Sequence, residues 1–194
     1  MLQKECGKSD NCHLVLLKQT ALVDTLVQAS FYSAVWYFNH QNNQEWTTQS
    51  VPIAIVARGG YGREEMYFRS DVDIEIVSES SVSESDKNSA EQIIRHFEYL
   101  FIFQDIFPAT INACYTENET FEKDQDPAKV PEFMALLEHR FVAGNSLVYS
   151  EFKSSIKTVS LLYREEIQKH CLSHEGCYEV QNTVFQQEPN IKEE

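Results

Sequence analysis

Hydrophobic residues recur every seven positions in the first part of the chain, between about residues 13 and 39. The members of this repeat are Val15, Leu22, Ala29 and Trp36, with Leu26 between them on the same side. Such a spacing predicts a long helix with one apolar side. The polar run 39–43 follows and is predicted to end the helix in a loop.

Two shorter apolar runs predict β-strands. Residues 51–57 are rich in β-branched side chains and stop at Gly59 and Gly60, which indicates a buried strand. In the second run, Val72, Ile74 and Ile76 alternate with Asp71, Asp73 and Glu75. Because successive strand residues point to opposite faces, this alternation predicts one apolar and one acidic face.

A solvated loop, a helix and a third strand are predicted next. Residues 78–88 are rich in Ser, Glu and Asp, which is typical of a loop, and Ser89 with Gln92 forms a capping box that would open a helix. The inner face of this helix would consist of Ile93, Phe97, Leu100 and Phe101. Residues 108–115 are predicted to form the third strand, and residues 118–129 a polar connection.

The last third of the chain is predicted to be helical. Pro131 is favourable at a helix start and Gly144 at a helix end, so one helix is predicted between them. Its apolar face would consist of Phe133, Leu136 and Leu137. A further helix is predicted from about residue 147 to 171. This order of elements indicates the α+β class, with a small mixed β-sheet flanked by helices and a helical C-terminal extension.

Composition limits the class of partner. The chain has 194 residues, 42% of them hydrophobic, which suits one compact domain with a helical extension. Its formal net charge is −14, from 30 acidic and 16 basic residues. This balance argues against binding nucleic acid through its phosphates, which needs clustered Lys and Arg. A protein or small-molecule partner is favoured, and a nucleoside triphosphate remains possible where metal ions offset its charge.

The cysteines indicate a reduced compartment rather than a disulfide framework. They are Cys6, Cys12, Cys114, Cys171 and Cys177. Their number is odd, their spacing is scattered, and we identify neither a secretory leader nor an apolar stretch fit to span a bilayer. We therefore expect a soluble, cytoplasmic protein. His170, Cys171, His174 and Cys177 could suggest zinc, but they lack the usual second, separated ligand pair, so we favour no zinc site.

Residues 57–73 contain the residue pattern that most directly indicates a function. The first strand leads into Gly59, Gly60 and Gly62, which allow the backbone to pass close to a ligand, and a short helix beginning there would favour phosphate. Asp71 and Asp73 are two positions apart on the second strand, roughly 6.5–7 Å between Cα atoms on one face. This spacing suits joint binding of divalent metal, and metal ions could clamp an in-line phosphoryl displacement. Taken separately, each part is more often an ordinary turn or a solvated strand face.

The combined motif resembles a known family signature. Gly-Gly-Tyr-Gly-Arg-x-Glu followed by Ser-Asp-hydrophobic-Asp is similar to the signature of the PII-protein uridylyltransferases, within the polymerase-β-like nucleotidyltransferases. The matching positions are Gly59, Gly60, Tyr61, Gly62, Arg63, Glu65, Ser70, Asp71 and Asp73. Residues 136–144 resemble a Leu-Leu-Glu-x-Arg…Ala-Gly helix of that family, and residues 188–193 resemble the run before its glycine-rich segment. The resemblance spans about residues 13–194.

The resemblance implies metal-dependent transfer of a nucleoside monophosphate, with release of pyrophosphate. Gly59 and Gly60 would approach the triphosphate, Ser70 would form part of the nucleotide site, and Asp71 and Asp73 would be catalytic ligands of Mg²⁺ or Mn²⁺. Arg63 would either face phosphate or pair with Glu65 or a neighbouring acid. In the family the donor is UTP, and the acceptor is a tyrosine hydroxyl on the PII signalling protein.

Two departures from the family pattern support a second hypothesis. Glu64 replaces a small glycine, and residues 108–115 contain no third carboxylate of the kind common in this superfamily. Glu75 could substitute for it, although we expect that side chain to face solvent. The alternative is a weakly active or inactive domain that senses NTP or binds protein. A third hypothesis, a small-molecule nucleotidyltransferase of the antibiotic-modifying kind, matches the downstream helix poorly.

The resemblance also implies a division of the chain. Residues 1–12 would be a polar N-terminal tail, and residues 13–125 the nucleotidyltransferase core. Residues 126–194 would be a helical extension, which we expect to continue in a longer parent protein.

Overall fold

The computed structural model describes residues 12–68, 70–79, 82–102, 111–117, 130–162, 164, 165, 167 and 168. Within these residues the helices are α1 (Cys12–Asn42), α2 (Gly59–Gly62), α3 (Glu84–Ile102), α4 (Val130–Leu137) and α5 (Ser146–Leu162). The strands are β1 (Ile53–Arg58), β2 (Val72–Ser78), β3 (Ile111–Glu117) and β4 (His139–Gly144). None of the described helices is long and apolar enough to cross a bilayer.

The strands form one mixed sheet in the order β3-β2-β1-β4. β1 is antiparallel to both of its neighbours, whereas β2 and β3 are parallel. The register pairs Ala57 with Ile74 at one end of β1 and Ile53 with Ser78 at the other. This arrangement confirms the predicted α+β class and the small mixed sheet.

Each face of the sheet is covered by helices, so the fold has two cores. On one face, α1 and α3 pack over β1 and β2, and Phe31, Ile55 and Phe97 are buried there. On the other face, α5 covers the sheet together with α4, and Val56 and Phe152 are buried. Because alternate residues of β1 point to opposite faces, the run 53–57 contributes to both cores, which explains why it is apolar throughout.

The seven-residue repeat does not mark the buried side of α1, because Val15 is the one member of the four that is buried. Leu22 and Trp36 are 46% and 58% exposed, and Ala29 is also exposed. The core positions recur at spacings of three and four residues instead: Val15, Val23, Val27, Phe31, Ala34, Val35 and Phe38. Since α1 is apolar on two sides, periodicity could not tell which side packs on the sheet.

The helix predicted from Pro131 to Gly144 is wrong in its second half. The helix ends at Leu137, and residues 139–144 form β4, which pairs with β1. Gly144 therefore ends a strand, with φ of +94°, rather than a helix. The run 141–143 is too short to distinguish helix from strand by pattern, and the open edge of β1 decided the outcome.

The remaining predictions agree with the structure in most respects. β3 overlaps the predicted strand, and α5 begins one residue before the predicted start. The inner face predicted for α3 is confirmed, because Ile93, Phe97 and Phe101 are buried. The N-terminal tail and the His/Cys group at 170–177 lie outside the described residues.

The start of α3 was predicted wrongly. The helix begins at Glu84, inside the predicted loop 78–88, and not at the capping box of Ser89. Ser83 is the cap: its Oγ accepts the backbone N–H of Asp86 at 3.2 Å and donates to the Asp86 carboxylate at 2.8 Å. The hydroxyl of Ser89 instead donates to the carbonyl of Ser85 within the helix.

The cap assignment yields a direct test. Ser83→Ala removes the acceptor for a free helical N–H and should lower the free energy of unfolding by about 1 kcal/mol. Ser89→Ala is the matched control and should leave it nearly unchanged, since Ser89 lies within the helix. Urea denaturation of the two variants checks this prediction, and a larger loss for Ser89→Ala would contradict it.

Candidate functional site

A tight turn directly after β1 forms the centre of the candidate site. Arg58 is extended, with φ of −133° and ψ of 166°, and Gly59 then has φ of +56°. This left-handed conformation favours glycine. The backbone N–H of Arg63 donates to the carbonyl of Gly59 at 3.0 Å, and that of Glu65 donates to Gly60 at 2.9 Å. The chain therefore leaves the sheet through one compact helical turn.

The carboxylate of Asp73 lies beside this turn. A Cβ atom placed on Gly59 would be 3.8 Å from Oδ2 of Asp73, so a side chain on Gly59 would occupy the space in front of that carboxylate. Asp71 comes immediately before β2 and is exposed, while Asp73 is partly exposed. The structure thus brings Gly59 and Asp73 together, as the motif predicts.

Glu75 is buried and not solvent-facing, contrary to our expectation. Its residue exposure is 1%, and Oε2 lies 3.5 Å from Nη1 of Arg58. The error arose because α4 and α5 cover this face of the sheet, which the alternation alone did not reveal. Arg58 and Glu75 are charges of opposite sign within two apolar runs of the sequence, and this signal could have predicted their pairing.

The described residues offer two carboxylates for a divalent cation, in Asp71 and Asp73. Among the described parts of the chain, no group of three or more His, Cys, Asp or Glu side chains is placed to hold a metal ion. In the parallel register of β2 and β3, Asn112 lies opposite Asp73, and Glu117 lies at the far end opposite Ser78. Two carboxylates fit Mg²⁺, which proteins commonly bind through one or two carboxylates together with substrate phosphates.

Arg63 forms the ion pair that was one of its two predicted roles. Its Nε donates to Oε2 of Glu65 at 2.7 Å, and Nη1 pairs with the carboxylate of Glu138. The hydrogen bond to Glu65 is the main cause of the raised pKa of Arg63. Arg63 therefore ties the end of the turn to the segment between α4 and β4.

Ser70, the other predicted nucleotide-site residue, closes a local turn before β2. Its Oγ accepts the backbone N–H of Tyr67 at 3.1 Å, and its own N–H donates to the carbonyl of Tyr67 at 3.2 Å. This turn fixes the direction in which the chain enters β2 after the solvent-exposed segment 63–65.

A partly buried polar network anchors the turn to α1 and β4. Arg140 donates two hydrogen bonds of 2.9 Å to the two carboxylate oxygens of Asp24. The hydroxyl of Tyr61 donates to the same carboxylate at 2.7 Å, and the guanidinium lies 5.4 Å from the centre of the Tyr61 ring. Sequence analysis missed Asp24 and Arg140, which are 116 positions apart. The lone acid in an apolar helix was the available signal.

The network favours one protonation state of Tyr61 and of Arg140. Burial raises the pKa of Tyr61, and the negative charge of Asp24 raises it further, so the hydroxyl remains a donor. Burial by itself lowers the pKa of Arg140, but the hydrogen bonds to Asp24 outweigh this effect and leave the pKa raised. The turn is thus anchored by a charge-assisted contact in which Arg140 stays protonated at physiological pH.

Gly62 makes the closest backbone contact of the turn. A Cβ atom on Gly62 would overlap the carbonyl oxygen of Glu138 and lie 3.2 Å from the carbonyl oxygen of Ala57. Only glycine therefore allows α2 to pack against the segment between α4 and β4. The third glycine of the motif has a packing role, distinct from the role of Gly59 beside Asp73.

Glu64 has φ of +63°, in the left-handed region that glycine adopts more readily. Its carboxylate is exposed, and Oε1 lies 3.9 Å from Nε of Arg140. The family to which the sequence showed a resemblance has glycine here. The conformation accounts for that preference without any contact to a ligand.

Comparisons with known proteins confirm the predicted family resemblance. The chain is 25% identical over 187 residues to the bifunctional uridylyltransferase/uridylyl-removing enzyme of Idiomarina loihiensis. This alignment covers 89% of the present chain and 19% of the relative. It is 28% identical over 178 residues to the enzyme of the same name from Ruegeria pomeroyi, covering 90% and 18%. The enzyme of the same name from Vibrio atlanticus is 30% identical over 145 residues, and this alignment covers 72% of the present chain and 15% of the relative. No protein-family model matches the chain.

The chain spans about a fifth of the length of the first two of these relatives. They are named as transferases of a uridylyl group, and their names describe the whole enzyme, of which this chain matches one part. The comparisons therefore support a nucleotidyltransferase-like domain of the uridylyltransferase kind.

The Asp24 network can be tested by removing one charge. Asp24→Asn weakens both bonds to Arg140 and leaves its half-buried guanidinium uncompensated, which should cost on the order of 2–3 kcal/mol of unfolding free energy. Glu91→Gln, which breaks the exposed pair with Arg95 on α3, is the control and should have no measurable effect. Equal stability of the two variants in guanidinium denaturation would contradict the assigned role.

The conformation of Glu64 predicts a stabilising substitution. Glu64→Gly relieves the left-handed strain and should raise the free energy of unfolding by about 0.5–1 kcal/mol. Glu64→Ala loses the same carboxylate but keeps a Cβ atom, so it should bring no such gain. Thermal unfolding of both variants measures the difference, and an equal response would show that charge, not backbone conformation, governs this position.

Proposed function

We propose that this domain is a metal-dependent nucleotidyltransferase. It would transfer a nucleoside monophosphate from an NTP, with UTP favoured by similarity to the uridylyltransferases, to a hydroxyl group on a protein. The observation that carries the proposal is the carboxylate of Asp73 beside the left-handed turn at Gly59, with Asp71 exposed two positions earlier. A nucleic-acid acceptor is disfavoured by the net charge of −14.

The turn would leave room for the triphosphate because two of its residues are glycines. Gly59 and Gly60 have no side chain, so phosphate oxygens can approach the backbone in front of Asp73. Arg58, at the start of the turn, neutralises the buried carboxylate of Glu75. That carboxylate therefore adds little repulsion beside the phosphates, and the acidic groups that face the ligand are those suited to hold metal.

Asp71 and Asp73 would hold Mg²⁺ or Mn²⁺, which when bound supplies positive charge to the developing transition state and makes the acceptor hydroxyl more acidic. The acceptor oxygen would form a bond to the α-phosphorus while the bond to the pyrophosphate oxygen breaks. The hydroxyl proton would leave to solvent or to a neighbouring carboxylate. The protein's contribution is chiefly positioning, since the network of Asp24, Tyr61 and Arg140 fixes the turn relative to α1 and β4.

A second candidate function is NTP sensing or protein binding without efficient transfer. Two observations favour it. The register of β3 places Asn112, not an acid, opposite Asp73. Arg63 is held by Glu65 and Glu138. Fewer carboxylates would weaken metal affinity and hydroxyl activation together, whereas nucleotide binding through the turn could persist.

Nucleotide binding can be measured by thermal stabilisation. Mg²⁺ with UTP at about 100 times its dissociation constant should stabilise the native state by about 2.7 kcal/mol and raise its melting temperature. The double variant Asp71→Asn/Asp73→Asn should lose this shift, because it no longer holds the metal. Glu151→Gln, on the exposed side of α5, is a matched charge-removing control and should keep it. The absence of a shift in the wild type with any NTP would count against both nucleotide-using functions, transfer and NTP sensing.

Transfer distinguishes the two candidate functions. The wild type, incubated with UTP labelled in its α-phosphate, Mg²⁺ or Mn²⁺ and a cell lysate, should yield a labelled protein band. The same band should be absent with Asp71→Asn/Asp73→Asn and present with Glu151→Gln. Thermal stabilisation by UTP without a labelled band or pyrophosphate release would support the sensing function instead.

A further inference from the structure

One donor of the Arg140 guanidinium has no hydrogen-bond partner among the described residues. The two terminal nitrogens donate to the carboxylate of Asp24 at 2.9 Å, and Nη2 also donates to the carbonyl of Tyr61 at 3.5 Å. The remaining nitrogen, Nε, is closed to solvent and donates to no described group. A buried donor without an acceptor is unfavourable, because it has given up its hydrogen bonds to water. Arg140 therefore retains one charged donor that an additional acceptor would stabilise.

The carboxylate of Glu64 is well placed to become that acceptor. Its Oε1 lies 3.9 Å from Nε of Arg140, which is beyond hydrogen-bond distance. A charge-assisted bond between these groups is about 2.7–2.9 Å long, so a movement of about 1 Å would form it. The side chain of Glu64 is 49% exposed, and it can therefore move without any repacking of the core.

The backbone of Glu64 is strained at the same place. Its φ of +63° is readily adopted by glycine but not by a residue that has a Cβ atom. Residue 64 lies in the stretch that leads from the end of α2 to β2, which contains Asp73. Strain of this kind persists where the surrounding structure imposes it, and it is concentrated at switches and ligand-binding sites. The strained residue is thus also the residue whose carboxylate lies beside the unpartnered donor.

We propose that Glu64 is a positioning residue, whose carboxylate closes onto Nε of Arg140 when a metal-bound nucleotide occupies the turn after β1. This inference rests on the proposed function and adds a conformational step to it. In the closed arrangement Glu64 links the end of α2 to β4, next to the link that Tyr61 makes through Asp24. Glu64 acts through Arg140 and touches neither the phosphates nor the metal.

Nucleotide binding and closure favour each other for two physical reasons. The phosphates bring negative charge to the turn, so a carboxylate nearby is more favourable beside a cation than in front of the phosphates. Closure also restricts α2, whose four residues are too few to be stable by themselves, so a ligand of the turn loses less conformational entropy on binding. Because this coupling is reciprocal, a nucleotide that binds the closed arrangement more tightly also increases the closed fraction.

Opposite effects of one substitution on stability and on binding test this proposal. Glu64→Gly removes the strain and the carboxylate together, so the protein without nucleotide should become more stable, whereas its affinity for UTP with Mg²⁺ should fall about fivefold or more. Glu64→Gln keeps the strain and the side-chain length but not the charge, so it should lose affinity without gaining stability. Glu151→Gln, on the exposed side of α5, is the control and should change neither quantity. Thermal unfolding over a series of UTP concentrations measures both.

The Nε–H signal of Arg140 reports the contact itself. In a proton–nitrogen correlation NMR spectrum, this signal can be assigned through bonds to the backbone of Arg140. Addition of UTP and Mg²⁺ should move it to higher proton frequency in the wild type, because a hydrogen bond to a carboxylate deshields the proton. The signal should not move in this way in Glu64→Gly.

The outcomes separate this inference from the proposed function. Equal affinity for UTP in the wild type, Glu64→Gly and Glu64→Gln would overturn the inference and leave the proposed function standing. An Nε–H signal that stays in place while UTP binds, or that moves equally in Glu64→Gly, would do the same. A wild type that no NTP stabilises would remove the proposed function and this inference together.

Discussion

The paired hydrogen bonds from Arg140 to Asp24 hold together the parts of the chain that form the candidate site. α2 has four residues, which is too short for a helix to be stable by itself. Its place is set by Tyr61, which donates to the same carboxylate of Asp24 and lies under the guanidinium of Arg140. The approach of Gly59 to Asp73 therefore depends on contacts from α1 and β4, outside the glycine motif.

Local sequence was sufficient where one strand or turn determined its own conformation. The apolar run of β1, the alternation in β2 and the glycine turn between them are confirmed, and together they place Asp73 beside Gly59. Local sequence failed where a distant element made the choice. The run 139–144 became a strand because β1 had an open edge. The seven-residue repeat of α1 did not identify the buried side of that helix, because apolar residues lie on more than one side. Asp24 and Arg140 could not be paired from sequence, since nothing local relates a helix to a strand 116 positions away.

The pair of Arg58 and Glu75 shows how the sheet tolerates charge close to the candidate site. Both side chains lie in strands whose other residues are largely apolar, and Glu75 is almost completely buried. A buried carboxylate without a partner would be strongly unfavourable, so the two charges are energetically one unit. The unit is neutral overall. For that reason Glu75 does not serve as a free third carboxylate, although it lies two positions beyond Asp73.

Each arginine around the turn, within the described structure, is likewise already paired with a carboxylate. Arg58 is paired with Glu75, Arg63 with Glu65 and Glu138, and Arg140 with Asp24. Binding of a triphosphate by any of them would require an existing ion pair to be weakened. Asp71 and Asp73 add negative charge in the same place. Under the proposed function, a divalent cation would therefore offset the charge of the phosphates and of both aspartates together, and this is the electrostatic reason to expect metal dependence.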